Sequence, residues 1–343
     1  MAKAKRIGCT ERSARIAPFY VMELLEKAQA LEARGEKVVH MEIGEPDFAT
    51  PLSIRQAGIR AIEEGHTFYT HSLGLPSLRE RIAAHYTETY RVSVPADRII
   101  MTNGTSGAFF LLCAVVGECG AAPHLVMVCS PANPTGTIYS GDSLSRLNAV
   151  VAAKGGCLAV DEIYSGLTYE GEFPSAVTVS DDIIVIDGFS KSYAMTGWRL
   201  GWLVVPRWLV RPIQRVAQNV FISPPTIAQH AALDAFDAAL EIEAMKKTYR
   251  ERRAFLFPRL KELGFSLPAW PEGAFYIYAG IGRWGMDSME FVERALMEAK
   301  VAITPGYDFG AYRAGSFVRF SYANSLEMLK EGCDRLSGWL RGL

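Results

Sequence analysis

The sequence predicts an α/β protein with a mostly parallel sheet and a second, smaller α+β region. Three observations carry this. Short apolar runs at 125–129, 157–160 and 183–186 lack polar alternation, as strands buried on both faces do. A stretch with helical character at 142–153 separates the first two, which makes a βαβ unit. From about residue 227 the pattern turns to a long helical region, then to alternating strands and helices.

Before the sheet, Val21, Leu24, Leu25, Ala28 and Leu31 recur at helical spacing over 20–34, with Gly35 as a stop. An extended run at 38–43 breaks at Gly44-Glu45-Pro46-Asp47, a loop by composition. Pro76 opens a helix through Leu78, Ile82 and Tyr86. A strand at 98–101 ends in Thr102-Asn103-Gly104-Thr105-Ser106-Gly107, and an apolar helix follows at 108–116. The run 200–205 comes too soon after 183–186 for a crossover helix, so it is expected antiparallel to its neighbours. The helical region to Leu263 contains Pro258, which is expected to kink or split it. Beyond it come a strand at 274–279, a helix at 288–299, a strand at 317–322 and a helix at 325–341. The chain divides on this pattern into an N-terminal arm (1–45), a large domain (46–240) and a small C-terminal domain (241–343).

The chain has 343 residues, 49% apolar and 21% charged, with a formal net charge of −1. That balance gives no reason for a nucleic-acid or membrane partner. No apolar run has the length of a bilayer span. The basic start, Met1-Ala2-Lys3-Ala4-Lys5-Arg6, has no signal-peptide core after it. No helix-turn-helix or basic extension is expected at either end. The six cysteines show neither CxxC spacing nor a disulfide framework, and the six histidines show no metal-ligand spacing. A cytoplasmic setting is the simplest expectation.

The most informative stretch runs from Asp187-Gly188-Phe189-Ser190-Lys191 through Met195-Thr196-Gly197-Trp198-Arg199. It sets one lysine just past a buried run and an arginine eight residues later, across a glycine. This suits a cofactor with an aldehyde at one end and a phosphate at the other, Lys191 forming a Schiff base and Arg199 forking onto the phosphate. The segment resembles the lysine motif of the class I/II aminotransferases, which depend on pyridoxal 5′-phosphate.

That cofactor makes demands that particular residues meet. Asp161, at the end of the apolar run 157–160, would hold the pyridine nitrogen protonated. Tyr164 and Asn133 would donate to the ring's phenolic oxygen. Gly104-Thr105-Ser106 opens a helix and would cradle the phosphate with Ser190 and Arg199. Arg319 would fork onto the substrate α-carboxylate. Each also has a plainer reading alone: Asn133-Pro134-Thr135-Gly136 as an ordinary turn, Asp161 as a helix cap, Arg319 as one half of a surface ion pair.

The resemblance covers nearly the whole chain. Glu42-Ile43-Gly44-Glu45-Pro46-Asp47-Phe48 looks like the family's N-terminal loop, which implies that the Gly44 amide meets the substrate carboxylate. Tyr69 matches the tyrosine that reaches the cofactor phosphate of the partner subunit. The resemblance implies the type I fold of pyridoxal-phosphate enzymes, an active site at a homodimer interface, and ping-pong transfer of an amino group from an amino acid to a 2-oxo acid, with the freed Lys191 amine moving the proton.

One feature departs from the family. Its members carry a segment of roughly forty to fifty residues after the phosphate-binding helix, far more than an ordinary loop. That segment holds two edge strands of a seven-stranded sheet, a helix, and an aromatic that stacks on the cofactor ring. Here 117–124 leads straight into 125–129. A reduced, five-stranded sheet is expected, with an uncharged edge along 125–129. The second functional reading follows from this: a catalytically impaired or non-catalytic relative, for want of the stacking segment.

Overall fold

A computed structural model describes residue 13, residues 15–116 and residues 124–343. The start of the expected arm and the join at 117–123 lie outside the described residues. The strands are β1 (Val39–His40), β2 (Ile99–Thr102), β3 (Leu125–Cys129), β4 (Cys157–Asp161), β5 (Ile184–Gly188), β6 (Gly201–Val204), β7 (Tyr276–Gly280), β8 (Val301–Ala302), β9 (Thr304–Pro305) and β10 (Phe317–Ser321).

Five strands form the main sheet in the order β2-β6-β5-β4-β3. β3, β4 and β5 are parallel, and β6 runs antiparallel to both β5 and β2. Leu158, Ala159 and Val160 of β4 and Ile184, Val185 and Ile186 of β5 are fully buried, which is why neither run alternates. Cys129 stands opposite Asp161, and Asp161 opposite Ile186, so β3 and β4 end level and β5 runs two residues further. In such sheets the crevice beyond these ends is where ligands bind.

One helix opens at that crevice and a second covers the sheet beside β4. Helix Gly104–Val116 begins directly after β2 and packs Ala108, Leu111 and Leu112 against Ile184, Ile186 and Leu203. Helix Gly141–Ala153 follows β3, its first turn held by the Ser140 hydroxyl accepting from the Ser143 N–H at 3.2 Å. Among the described residues, β3 has β4 as its neighbour on one side and ends the sheet on the other, with Met127 45% exposed.

A second core gathers around the antiparallel sheet β7-β10-β9 and the parallel pair β1-β8. Helix Tyr20–Glu32 joins it through Leu24, Ala28 and Leu31, one face at helical spacing. Each buried leucine there contributes about 1.5–3 kcal/mol. Ile163, Tyr164, Leu167 and Tyr169, just after β4, belong to the same apolar cluster, so the chain leaving the main sheet packs on the second core.

Several expected elements differ. Pro258 does not split its helix: Ala239–Glu262 is continuous through it. It lies near the helix end, where a missing N–H removes one bond to the preceding turn and leaves the rest intact. The break falls earlier, at a 3-10 turn (Ala235–Asp237) after helix Thr226–Leu233. The expected strand at 98–101 is shifted by one residue, because Arg98 ends a 3-10 turn and donates to the carbonyls of Val205 at 2.9 Å and Asp181 at 2.6 Å. The expected helix at 288–299 is α-helical over Ser288–Arg294 and widens to a π turn over Ala295–Ala299. Helices Leu52–Glu63 and Arg207–Val220 have no counterpart in the sequence-based expectation.

Candidate active site

Asp161 is the last residue of β4, and its carboxylate accepts from the Ile163 N–H at 3.1 Å. Burial raises its pKa to about 7, against the pull of that N–H and of the Lys191 charge. Lys191 follows β5 by three residues. Its Nζ donates to the Gly44 carbonyl at 2.6 Å. Burial lowers its pKa to about 8; Glu45 opposes this, while Arg319 and Arg199 reinforce it.

Both residues line one cavity of about 380 Å³, together with Thr105, Ser106, Asn133, Tyr164, Ser190 and Arg199. Thr105 and Ser106 lie in the first turn of their helix, where backbone N–H groups lack helical partners and favour an anion. Gly104, at φ +66°, lets Arg199 close in: a Cβ there would lie 2.6 Å from its Nη2. Arg199 is itself held in a left-handed conformation, with Nη1 donating to the Thr196 carbonyl at 2.9 Å.

Arg319 adjoins the cavity through Asn133, whose Oδ1 accepts from its Nη1 at 2.9 Å. Its Nη2 donates to the Glu42 carbonyl at 2.6 Å and to the Thr304 hydroxyl at 3.2 Å. The guanidinium lies over the rings of Tyr276 at 4.2 Å and Phe309 at 4.9 Å. Its buried Nε has no hydrogen-bond partner, so the fork retains a free donor.

One sequence-based assignment meets another partner here. The Tyr164 hydroxyl, pushed well up by burial, lies 2.8 Å from the Tyr276 hydroxyl. Gly44 sits beside Arg319, but its carbonyl is engaged by Lys191. Tyr69 does not reach this cavity; it is 77% exposed. Sequence reasoning assigned no role to Glu45, Cys129, Ile163 or Thr196, all at the cavity. Glu45 stood next to Gly44 in the quoted loop. Tyr276 had no local signal, because only the fold brings it to Gly44 and Arg319.

The aminotransferase class I and II family matches residues 36–122 and 116–336. The chain belongs to that family. Its cofactor is pyridoxal 5′-phosphate and its reaction is amino-group transfer. It is 36% identical to a (5-formylfuran-3-yl)methyl phosphate transaminase of Methanocaldococcus jannaschii, over 94% of this chain and 96% of that protein. It is 33% identical to a valine–pyruvate aminotransferase of Mycobacterium tuberculosis, over 95% and 97%. A crystal structure of an aminotransferase from Mycobacterium tuberculosis superposes with a TM-score of 0.92 at 31% identity, over 99% of this chain and 100% of that one. These matches favour the enzyme over the non-catalytic reading.

The comparison also bears on the shortened segment. The Methanocaldococcus alignment spans 370 positions but takes in 94% of 343 residues, about 322, leaving about 48 positions with no residue here. The family match comes in two pieces that meet at 116–122. Among the described residues, Tyr164 is the one Phe, Tyr or Trp lining the cavity. No helix among the described residues is long and apolar enough to cross a membrane, and no group of three or more His, Cys, Asp or Glu could hold a metal.

Proposed function

We propose that this aminotransferase passes the amino group of an amino acid to a 2-oxo acid, using Lys191 as its reactive amine. The supporting observation is that Lys191, Asp161, Arg199 and the Thr105–Ser106 turn share one cavity. That donor set fits pyridoxal phosphate: an amine for the aldehyde, a buried carboxylate for the pyridine nitrogen, N–H and guanidinium groups for the phosphate. When bound, the cofactor supplies an electrophilic carbon and an electron-withdrawing ring.

The protein's residues do the rest. Once displaced by the substrate amine, the Lys191 amine would carry the proton from the substrate's α-carbon to the carbon that was the cofactor's aldehyde. Its lowered pKa favours the neutral amine that this step needs. Asp161 keeps the ring nitrogen protonated. Asn133 and Tyr164 would donate to the phenolic oxygen, Tyr164 by turning its hydroxyl from Tyr276. Gly104, Thr105, Ser106, Ser190 and Arg199 hold the phosphate. Arg319, with its free Nε, takes the α-carboxylate beside Gly44 and Asn133. Exposed Tyr69 reaches the phosphate of a partner subunit, so the working form is a homodimer, and its setting is the cytoplasm. The division into arm, large and small domains is supported by the two cores and by the helix break just before residue 239.

Magnitudes bear on the missing stacking segment. A stacked aromatic pair contributes about 0.5–1.5 kcal/mol beyond burial. Each hydrogen bond to a charged group contributes about 1.5–3 kcal/mol, and the phosphate end alone offers several. Cofactor affinity is lowered but not abolished. Borohydride reduction of the enzyme with its cofactor, followed by peptide mapping, tests the assignment. A cofactor adduct on Lys191, absent in Lys191→Ala, is expected; an adduct on another lysine would overturn it.

A further inference from the structure

A second cavity, of about 530 Å³, flanks the lysine segment and shares no lining residue with the first. Asp187 lies within it, 7% exposed. Its carboxylate accepts from the Gly188 N–H at 2.6 Å and the Ser165 hydroxyl at 3.2 Å. Among the described residues no Lys, Arg or His forms an ion pair with it; Lys246, also at the cavity, pairs with Glu243 at 3.2 Å. Burial, then the nearby Glu162 and Asp161, push the Asp187 carboxyl well above the usual range, so its charged form is held only when a cation pairs with it.

Two further observations indicate what that cation is. Ser192 lines the same cavity, is 5% exposed, and its buried hydroxyl has no partner. Tyr90, Phe173, Tyr193 and Trp202 line it with aromatic rings, whose faces attract ammonium groups. A bare metal ion would want a close shell of oxygens; this space is too large and too aromatic.

We propose that this cavity binds a small organic ammonium ion, its N–H directed at the Asp187 carboxylate, its carbon groups against the aromatic walls, and the Ser192 hydroxyl completing the polar contacts. Asp187 and Ser192 bracket Lys191, so the ligand would tie down both ends of the segment that carries the reactive amine.

The test uses the enzyme with its cofactor and trimethylammonium chloride, a tertiary ammonium that cannot condense with an aldehyde. Binding is followed by saturation-transfer NMR and calorimetry, with sodium chloride at equal ionic strength as reference. One saturable site per chain is expected. Asp187→Asn, which keeps an acceptor for Gly188 and Ser165 but loses the charge, should weaken it about tenfold or more. Should that variant fail to fold, Tyr90→Leu should also weaken binding, by about threefold. Absence of saturable binding, equal binding by sodium, or unchanged affinity in the folded variants would overturn the proposal.

Discussion

The side-chain amine of Lys191 donates to the carbonyl of Gly44 at 2.6 Å, across 147 residues of chain. This contact ties the loop before helix Leu52–Glu63 to the segment after β5, at the cavity where amino-group transfer is proposed. The amine is buried, close to two arginines, and leaves that carbonyl when it reacts.

The first prediction concerns pH. Burial sets Lys191 at about 8, whereas an unfolded lysine titrates near 10.4. The neutral amine is the nucleophile, so cofactor capture by the apoprotein should rise through pH 8 and then level off. Stopped-flow absorbance measures this; a midpoint near 10 would sink the idea. Between pH 8 and 10.4 the unfolded chain holds the extra proton, so this group's contribution to apoprotein stability should grow with pH across that window.

Gly44 and Tyr276 should behave as a coupled pair. A Cβ at Gly44 would lie 2.7 Å from the Tyr276 hydroxyl and 3.8 Å from Arg319 Nη2. Gly44→Ala is expected to raise KM for the amino acid about tenfold, in keeping with the 1–3 kcal/mol usual for overpacking. Tyr276→Phe removes the clashing oxygen and should recover part of that loss. A double-mutant cycle that came out additive would show that the clash is not the cause.

For Asp161→Asn, cofactor binding and protein stability should part ways. Losing one member of a buried ion pair with the pyridine nitrogen should weaken cofactor affinity on the order of 100-fold, read by equilibrium titration. The apoprotein should be no less stable at neutral pH. Burial raises this carboxyl to about 7, so its stabilising share is full below the unfolded pKa near 3.9 and fades as pH rises through 7. Equal losses in both measurements would refute the pyridine-nitrogen role.

His40 follows the same direction in a higher window, opposite to Lys191. Its Nδ1 lies 2.7 Å from Glu42 and its Nε2 3.1 Å from Glu32, and the Glu42 hydrogen bond leads in raising its pKa to about 9. The stabilisation is complete below the unfolded pKa near 6.5 and is lost as pH climbs through 9. Because the ring is half-buried, about 1 kcal/mol is expected after solvent screening. Thermal melts of His40→Gln against the parent should differ at pH 6 and converge by pH 10.

The free edge of β3 should make the protein prone to self-association. Met127 is 45% exposed on an uncharged strand paired on one side. Met127→Lys should lower light scattering at high concentration while leaving the size of the working oligomer unchanged. Equal scattering would indicate that this edge is already covered.

Much of this protein was legible in one dimension because its strongest signals are local. Unbroken apolar runs marked β4 and β5, since strands covered on both faces tolerate no polar alternation. β3 has the same kind of run, but it lies at the sheet edge and none of its residues is fully buried, so the expectation of two covered faces fails there. Lys191, Asp161, Asn133 and Arg199 sat in short motifs whose turns bring each to a strand end, and the fold does gather them at one cavity. The shortened join was visible as missing length. What the sequence could not supply depends on distant neighbours. Pro258 reads as a breaker wherever the final helix turn is unknown. Tyr276 reads as one more strand aromatic until β7 carries it to Gly44. Asp187 looks like part of the lysine motif, and only packing leaves it buried, without a cation, in a cavity of its own. Propensity and spacing act over a few residues and therefore determined the elements and the motif; burial and partnership depend on which surfaces meet, so the tertiary structure decided those.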